Sequence, residues 1–154
     1  MKIIFLDIDG VLNDFSSVAS IWNDTPTDTH LKCLKNIVDQ TGAEIVLSST
    51  WRLGRSTRKI VEDRLADFGM KLFDCTKELE DRATEIEEWL SRHPEVTDYV
   101  ILDDECLSLE RLKARLVQTT IAYGLLPTHV MKAIKILNRS EKSAKLVAGA
   151  QKDE

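Results

Sequence analysis

The chain has 154 residues, of which 43% are hydrophobic and 31% charged, and its formal net charge is −5. This composition is typical of a single globular domain, and it disfavours a membrane-spanning protein and broad, non-specific binding to duplex nucleic acid. The three cysteines lack metal-ligand spacing, which predicts reduced thiols. An apolar run follows Lys2 directly in place of a signal peptide, so we expect a cytoplasmic protein with no membrane partner.

Predicted strands and helices alternate along the chain, a pattern that indicates an α/β fold with a parallel sheet. The predicted strands cover residues 2–7, 44–48, 71–75, 99–102 and 116–119. The predicted helices cover residues 29–41, 56–68, 83–92, 107–114 and 128–138. Residues 139–154 are rich in Lys, Ala and Ser and have little to bury, so we expect a domain over 1–138 and a flexible C-terminal tail.

Two of the predicted strands end in acidic residues. Asp7 and Asp9 follow the first strand and precede Gly10, which permits a sharp turn, and Asp103 and Asp104 follow the fourth. In open α/β sheets, ligands bind beyond the carboxyl ends of parallel strands, so these carboxylates are expected to lie close together. Buried carboxylates are costly unless they bind a cation or take part in chemistry. The pattern therefore predicts a site for Mg²⁺, a hard cation that prefers oxygen ligands.

The second strand ends in hydroxyl groups instead of acids. Ser48 and Ser49 can hold phosphate oxygens there without adding negative charge. The alternative for Ser49 is that it caps the element that follows. Together, the acidic and hydroxylic strand ends favour a phosphoryl-transfer site, because each motif has the context that the others require.

In these motifs and their order, the chain resembles the capless phosphohydrolases of the haloacid dehalogenase (HAD) superfamily, and in particular the HAD domains of bacterial and phage RNA-repair proteins. The resemblance rests on Asp7-Ile8-Asp9-Gly10-Val11, on Ser48 and on the Asp103-Asp104 pair, and it extends to about Asn138. It implies a three-layer α/β/α Rossmann-like fold with a five-stranded parallel sheet in the order 5-4-1-2-3. The family's basic residue is expected to be Arg82, with Lys77 as the alternative.

The resemblance also implies a role for each motif residue. Asp7 would be the nucleophile that forms an aspartyl-phosphate, and Asp9 would be the general acid and base. Ser48 and Arg82 would hold the phosphoryl oxygens. The implied Mg²⁺ ligands are the Asp7 carboxylate, the backbone carbonyl of Asp9 and one of Asp103 and Asp104.

The spacing of the motifs leaves no room for a folded cap domain, so we expect an open site that accepts phosphates on large molecules. Gly10 and Ser49 are candidates for substrate contacts, and the basic segment that begins with Trp51 and Arg52 suggests binding of RNA or DNA 3′-phosphate ends. Trp51 could instead fill the core, and Trp22 is a second aromatic candidate. The expected partners are the phosphorylated substrate and a repair enzyme, and the expected state is a monomer. Two alternatives stay open, a capless phosphoprotein phosphatase and a catalytically silent binding module.

Overall fold

A five-stranded parallel sheet forms the centre of the protein in the computed structural model, which describes residues 1–15 and 25–152. The strands are β1 (Lys2–Leu6), β2 (Glu44–Leu47), β3 (Leu72–Cys75), β4 (Asp98–Asp103) and β5 (Leu116–Gln118). Their order in the sheet is β3-β2-β1-β4-β5, which is the predicted order 5-4-1-2-3 read from the opposite edge. The predicted fold class is therefore confirmed, and each strand lies within two residues of its predicted bounds.

The helices that connect the strands also lie near their predicted positions, with one exception. They are α1 (Asp28–Thr41), α2 (Arg55–Asp67), α3 (Arg82–Ser91), α4 (Pro127–Leu137) and α5 (Arg139–Lys152). Short 3-10 helices cover Thr50–Leu53 and Leu107–Arg115. The second of these corrects the predicted α-helix over 107–114. Only Leu109 is buried in that segment, so no apolar stripe stabilises a regular helix, and Leu112 has non-helical backbone angles.

Alternate residues of β1 divide the core into two halves, one on each face of the sheet. Ile4 and Leu6 belong to the larger half, which also contains the apolar faces of α1, α2 and α4. Ile3 and Phe5 belong to the smaller half with α3, where the rings of Phe5 and Trp89 meet edge to face at 5.5 Å. Helices thus cover both faces, which gives the predicted three layers. Because all five strands are parallel, their carboxyl ends lie at one edge of the sheet.

The segment after α4 forms a helix, and its residues 139–149 are all exposed. The predicted flexibility of this tail stays a prediction. Lys, Ala, Glu and Gln dominate residues 139–152, and these residues favour a helix even where little surface is buried. An ion pair of 3.3 Å between Lys2 Nζ and Glu141 Oε2 connects this helix to β1. That residues 1–138 form the domain without α5 stays a prediction. None of the helices within residues 1–15 and 25–152 combines the length and the apolar character needed to cross a membrane.

Candidate active site

The motif residues meet at the carboxyl edge of the sheet because the ends of three neighbouring strands are hydrogen-bonded to one another. The backbone N–H of Asp7 donates to the carbonyl of Leu102 on β4 at 3.0 Å, and that of Ser48 donates to the carbonyl of Leu6 on β1 at 3.0 Å. On the far side of β4, the Thr119 N–H donates to the Asp103 carbonyl at 3.0 Å. The residues that follow β1, β2 and β4 therefore occupy fixed, adjacent positions.

Three carboxylates converge at this edge. Asp7, Asp103 and Asp104 each offer an oxygen atom, and these three atoms lie within 4.8 Å of one another. Asp7 is 6% exposed and Asp103 is fully buried. Burial, followed by the nearby charge of Asp103, raises the pKa of Asp7 to about 8, against the opposing effect of Arg82. Burial and Asp103 also raise the pKa of Asp104. The cluster thus carries more negative charge than its surroundings neutralise, which suits a divalent cation with oxygen ligands.

Arg82 is the basic residue at this cluster. Its Nη1 lies 2.6 Å from Asp103 Oδ2 and 3.4 Å from Asp7 Oδ1. Arg82 is the first residue of α3, and the side chain of Asp81 fixes the start of that helix by accepting a hydrogen bond from the Thr84 N–H at 2.7 Å. Lys77, the alternative, is largely exposed and pairs with Glu88 on α3 at 3.3 Å.

Ser48 and Ser49 have different environments. Ser48 is fully buried, and within the described part of the chain its Oγ has no hydrogen-bond partner. A buried hydroxyl without a partner costs free energy, and a substrate oxygen at this strand end would satisfy it. The Oγ of Ser49 instead accepts a hydrogen bond from the Trp51 N–H at 3.1 Å and caps the 3-10 helix. Of the two readings of Ser49, the structure therefore favours the cap over the substrate contact.

The carboxylate of Asp9 is not part of the acidic cluster. Its Oδ1 accepts a hydrogen bond from Asn13 Nδ2 at 2.9 Å, and its Oδ2 accepts one from Trp51 Nε1 at 3.1 Å. Asp9 is exposed and lies two residues beyond Asp7, and its role as the general acid and base stays a prediction. The predicted metal contact of its backbone carbonyl stays a prediction.

Trp51 and Arg52 were predicted to bind the substrate, and both are buried instead. Trp51 is 9% exposed and belongs to the larger half of the core, so its ring has no open face for stacking on a base. Arg52 is 8% exposed, and its guanidinium donates to the backbone carbonyls of Thr76, Ser48, Ser49 and Lys77 and, at 2.5 Å, to Glu85 Oε2. Arg52 therefore joins the ends of β2 and β3 to α3, and it is not available to a substrate.

Gly10 supports the site through its lack of a side chain. Its φ is 79°, a left-handed conformation that favours glycine. A Cβ at this position would lie 2.5 Å from Asp104 Oδ2 and 2.8 Å from its Cγ. Thr119 Oγ1 donates to the Gly10 carbonyl at 2.5 Å and fixes the turn from the β5 side. Gly10 thus lets the turn pack against Asp104, and its predicted contact with the substrate stays a prediction.

Three further residues support the site without belonging to a predicted motif, namely Asn13, Glu85 and Thr119. Asn13 is fully buried and also accepts a hydrogen bond from the Gly10 N–H at 2.9 Å. Glu85 is buried on α3, and besides Arg52 it accepts a hydrogen bond from the Leu79 N–H at 3.0 Å. The position of Asn13 in the turn after the first strand was the only available signal, because the partners of Glu85 and Thr119 are distant in sequence. Trp22 lies outside the described residues.

A groove beside Arg82 is strongly acidic. We call it the acidic groove, and its charged lining residues are Arg52, Glu78, Glu80, Asp81, Arg82, Glu85 and Glu105. The basic segment that follows Trp51 does not offset this charge. Arg58 pairs with Glu62 at 3.0 Å, and Lys59 pairs with Asp63 at 3.1 Å, along the exposed side of α2. Arg58 and Lys59 are exposed but paired, so Arg55 is the exposed cation of that segment without an ion pair among the described residues. Binding of a nucleic-acid end by this segment stays a prediction.

Comparison with known protein families decides the affiliation of this fold and site. A family model described as "HAD domain in Swiss Army Knife RNA repair proteins" matches residues 3–130. The chain belongs to this family. The match includes all the residues of the acidic cluster, Arg82 and Ser48, and it ends within α4. Membership in this HAD family implies phosphohydrolase-type chemistry and agrees with the observed parallel sheet.

The comparisons beyond the family add no individual relative of this HAD domain. Neither the search of curated proteins nor the search of solved structures gives a match. The finer assignment of its activity and substrate therefore depends on the site described above.

Proposed function

We propose that the chain is a Mg²⁺-dependent phosphomonoester hydrolase that acts through an aspartyl-phosphate on Asp7. The observation that carries this proposal is the convergence of a buried carboxylate, a second acidic strand end and an arginine on one point at the sheet edge. Asp7, Asp103 and Asp104 lie within 4.8 Å, and Arg82 reaches both Asp7 and Asp103. These residues would supply a nucleophile, cation ligands and a group that binds phosphoryl oxygens.

The side chains at this edge fit a magnesium ion. Three carboxylate oxygens within 4.8 Å match the preference of Mg²⁺ for hard oxygen ligands. A divalent cation would also offset the burial and the nearby negative charge that raise the pKa of Asp7. Asp7, Asp103 and Asp104 would hold the ion, together with the Asp9 carbonyl. When bound, the ion supplies a positive charge that screens the nucleophile from the phosphoryl oxygens.

The side chains of the protein would carry out nucleophilic attack, proton transfer and binding of the phosphoryl oxygens. Asp7 attacks phosphorus and releases the alcohol, and Asp9 donates a proton to the departing oxygen. Asp9 then takes a proton from the water that hydrolyses the aspartyl-phosphate. Arg82 and the unpartnered hydroxyl of Ser48 would bind the phosphoryl oxygens while charge moves onto them.

The proposed substrate is a 3′-phosphate at the end of RNA or DNA. Two observations support it: the family is described as a domain of RNA repair proteins, and the described residues hold no inserted cap domain. A site without a cap accepts a phosphate that projects from a large molecule. The acidic groove disfavours contacts with further phosphates of the same strand, so we propose that the site binds only the terminal phosphate.

Phosphate release from a panel of substrates tests the proposal. The panel contains a 3′-phosphate oligonucleotide, a 5′-phosphate oligonucleotide, a phosphopeptide and p-nitrophenyl phosphate, each with Mg²⁺ or with EDTA. Asp7→Asn is the blank. We expect Mg²⁺-dependent release that is fastest from the 3′-phosphate oligonucleotide and absent in the blank.

A pair of matched variants tests the site itself. Arg82→Ala should lower kcat/KM by about 100-fold or more, because it removes the cation at the phosphoryl oxygens. Lys77→Ala should leave kcat/KM nearly unchanged, because Lys77 pairs with Glu88 and does not contact the cluster. Preference for the phosphopeptide would replace the nucleic-acid substrate with a phosphoprotein. Release from no substrate would favour a silent binding module.

A further inference from the structure

The position of the Asp9 carboxylate is determined by two N–H donors, one on each oxygen. Trp51 Nε1 donates to Oδ2 at 3.1 Å and Asn13 Nδ2 donates to Oδ1 at 2.9 Å. A carboxylate has about four lone-pair positions, so two remain for proton exchange. Asp9 itself is exposed, and packing alone does not fix its direction. The two donors, by contrast, are both buried.

The indole of Trp51 is itself held in place from several sides. Its ring packs in the larger half of the core. Its backbone N–H donates to Ser49 Oγ at 3.1 Å, and its carbonyl accepts a hydrogen bond from Thr57 Oγ1 at 2.7 Å. The indole N–H therefore presents a fixed donor at the edge of the site, directly after the β2 motif. An exposed carboxylate that accepts this bond takes its orientation from the core.

We infer that Trp51 is a positioning residue for the proton transfer that Asp9 performs, an inference that rests on the proposed function. In the first step the bond between phosphorus and the leaving oxygen breaks while the bond from Asp7 to phosphorus forms, and the proton of Asp9 passes to the leaving oxygen. In the second step the water oxygen bonds to phosphorus while the bond from Asp7 to phosphorus breaks, and Asp9 accepts the proton of the water. Both transfers require a defined orientation of the Asp9 carboxylate, and the indole N–H restricts that orientation through its bond to Oδ2.

The role of Trp51 should depend on the leaving group. An alkoxide, such as the 3′-oxygen of a nucleoside, departs poorly without a proton, whereas dinitrophenolate departs well without one. The value of kcat/KM reports the steps through departure of the leaving group and is independent of the later hydrolysis of the aspartyl-phosphate. Comparison of a nucleoside 3′-phosphate with dinitrophenyl phosphate therefore isolates proton donation by Asp9.

The test uses Trp51→Phe, which removes the N–H and keeps most of the ring. We expect kcat/KM to fall by about 10- to 100-fold for the nucleoside 3′-phosphate and by less than about threefold for dinitrophenyl phosphate. Trp89→Phe is the matched control, because Trp89 is another buried tryptophan whose Nε1 donates to a carboxylate, that of Asp74, at 2.8 Å. This bond lies outside the site, so Trp89→Phe should change both substrates equally or not at all.

Two further measurements distinguish failure of this inference from failure of the proposed function. Thermal unfolding checks that each variant folds, and the indole N–H resonances report the contact without any turnover. The Trp51 resonance, assigned by its loss in Trp51→Phe, should move in Asp9→Asn, and the Trp89 resonance should not. An unmoved Trp51 resonance, or equal losses for the two substrates in a folded Trp51→Phe protein, would overturn the inference. A wild-type protein that hydrolyses neither substrate would overturn the proposed function instead.

Discussion

Replacement of Asp7 by Asn should stabilise the metal-free protein while it abolishes catalysis. Asp7 is 6% exposed and lies beside Asp103 and Asp104, and its pKa is raised to about 8 from an ordinary value of 3.8. At neutral pH the folded protein therefore either holds a proton on Asp7 or tolerates an unfavourable charge. An amide of the same shape avoids both costs, since it is never charged.

The change in the free energy of unfolding follows from the pKa of Asp7 in the folded and in the unfolded state. Between pH 3.8 and about pH 8 the folded state binds a proton on Asp7 that the unfolded state has lost, so stability falls as the pH rises through this window. Each pH unit costs up to about 1.4 kcal/mol, which gives an upper limit of about 4 kcal/mol at pH 7. We expect Asp7→Asn to raise the free energy of unfolding at pH 7 by about 2–4 kcal/mol, and by much less near pH 4.

Urea denaturation in EDTA, repeated between about pH 5 and pH 9, measures this effect. Asp39→Asn is the control, because Asp39 is an exposed residue of α1 that pairs with Lys35, and it should shift stability by less than about 0.5 kcal/mol. Saturating Mg²⁺ should reverse the order, since the ion stabilises only the protein that retains its ligand. If Asp7→Asn is no more stable than the wild type at any pH in EDTA, ionisation of Asp7 does not destabilise the folded protein, and this reasoning is wrong.

Three other substitutions separate the roles of residues around the site. Ser48→Ala should lower kcat/KM by about 10- to 100-fold and hold or raise the melting temperature, since the buried Ser48 Oγ has no partner among the described residues; a stability loss would contradict this. Arg52→Met should cost about 3–5 kcal/mol in urea denaturation, because it leaves the buried Glu85 unpaired, and adding Glu85→Gln should recover part of that loss. Gly10→Ala should cost about 1–3 kcal/mol and weaken Mg²⁺ binding measured by calorimetry, because its Cβ would displace Asp104; unchanged affinity would refute that contact.

The parts of the fold and the site that depend on local pattern could be predicted from the sequence. Short apolar runs followed by Asp or Ser identify the buried strands, and a parallel sheet necessarily brings their carboxyl ends to one edge. The positions of Asp7, Asp103 and Ser48 follow from this geometry alone. Arg82 could also be predicted from the sequence, because it begins the helix that precedes β4.

The segment after β2 could not be predicted in the same way, because its environment is set by distant residues. A Trp-Arg pair beside further basic residues has the composition of a nucleic-acid contact. In the structure the 3-10 helix turns Trp51 into the core and Arg52 under the loop after β3, where its partners Thr76 and Glu85 are 24 and 33 residues away. Composition indicated the charge of this segment, but only tertiary contacts determine which charges remain on the surface.

The distribution of charge around the site argues for recognition of a terminal phosphate rather than of a strand. Arg82 lies at the acidic cluster, where it would bind only the terminal phosphoryl group. The acidic groove beside it would repel neighbouring phosphates. With about one phosphate bound, log(kcat/KM) should fall with log salt concentration at a slope below about 2, and a nucleoside 3′-phosphate should be hydrolysed within about tenfold of a 3′-phosphate oligonucleotide. Arg55→Ala, which removes the exposed cation of the basic segment that has no ion pair among the described residues, should not change the slope by a full phosphate contact. A steep slope that Arg55→Ala reduces would instead mean that the strand extends along α2, against the charge of the groove.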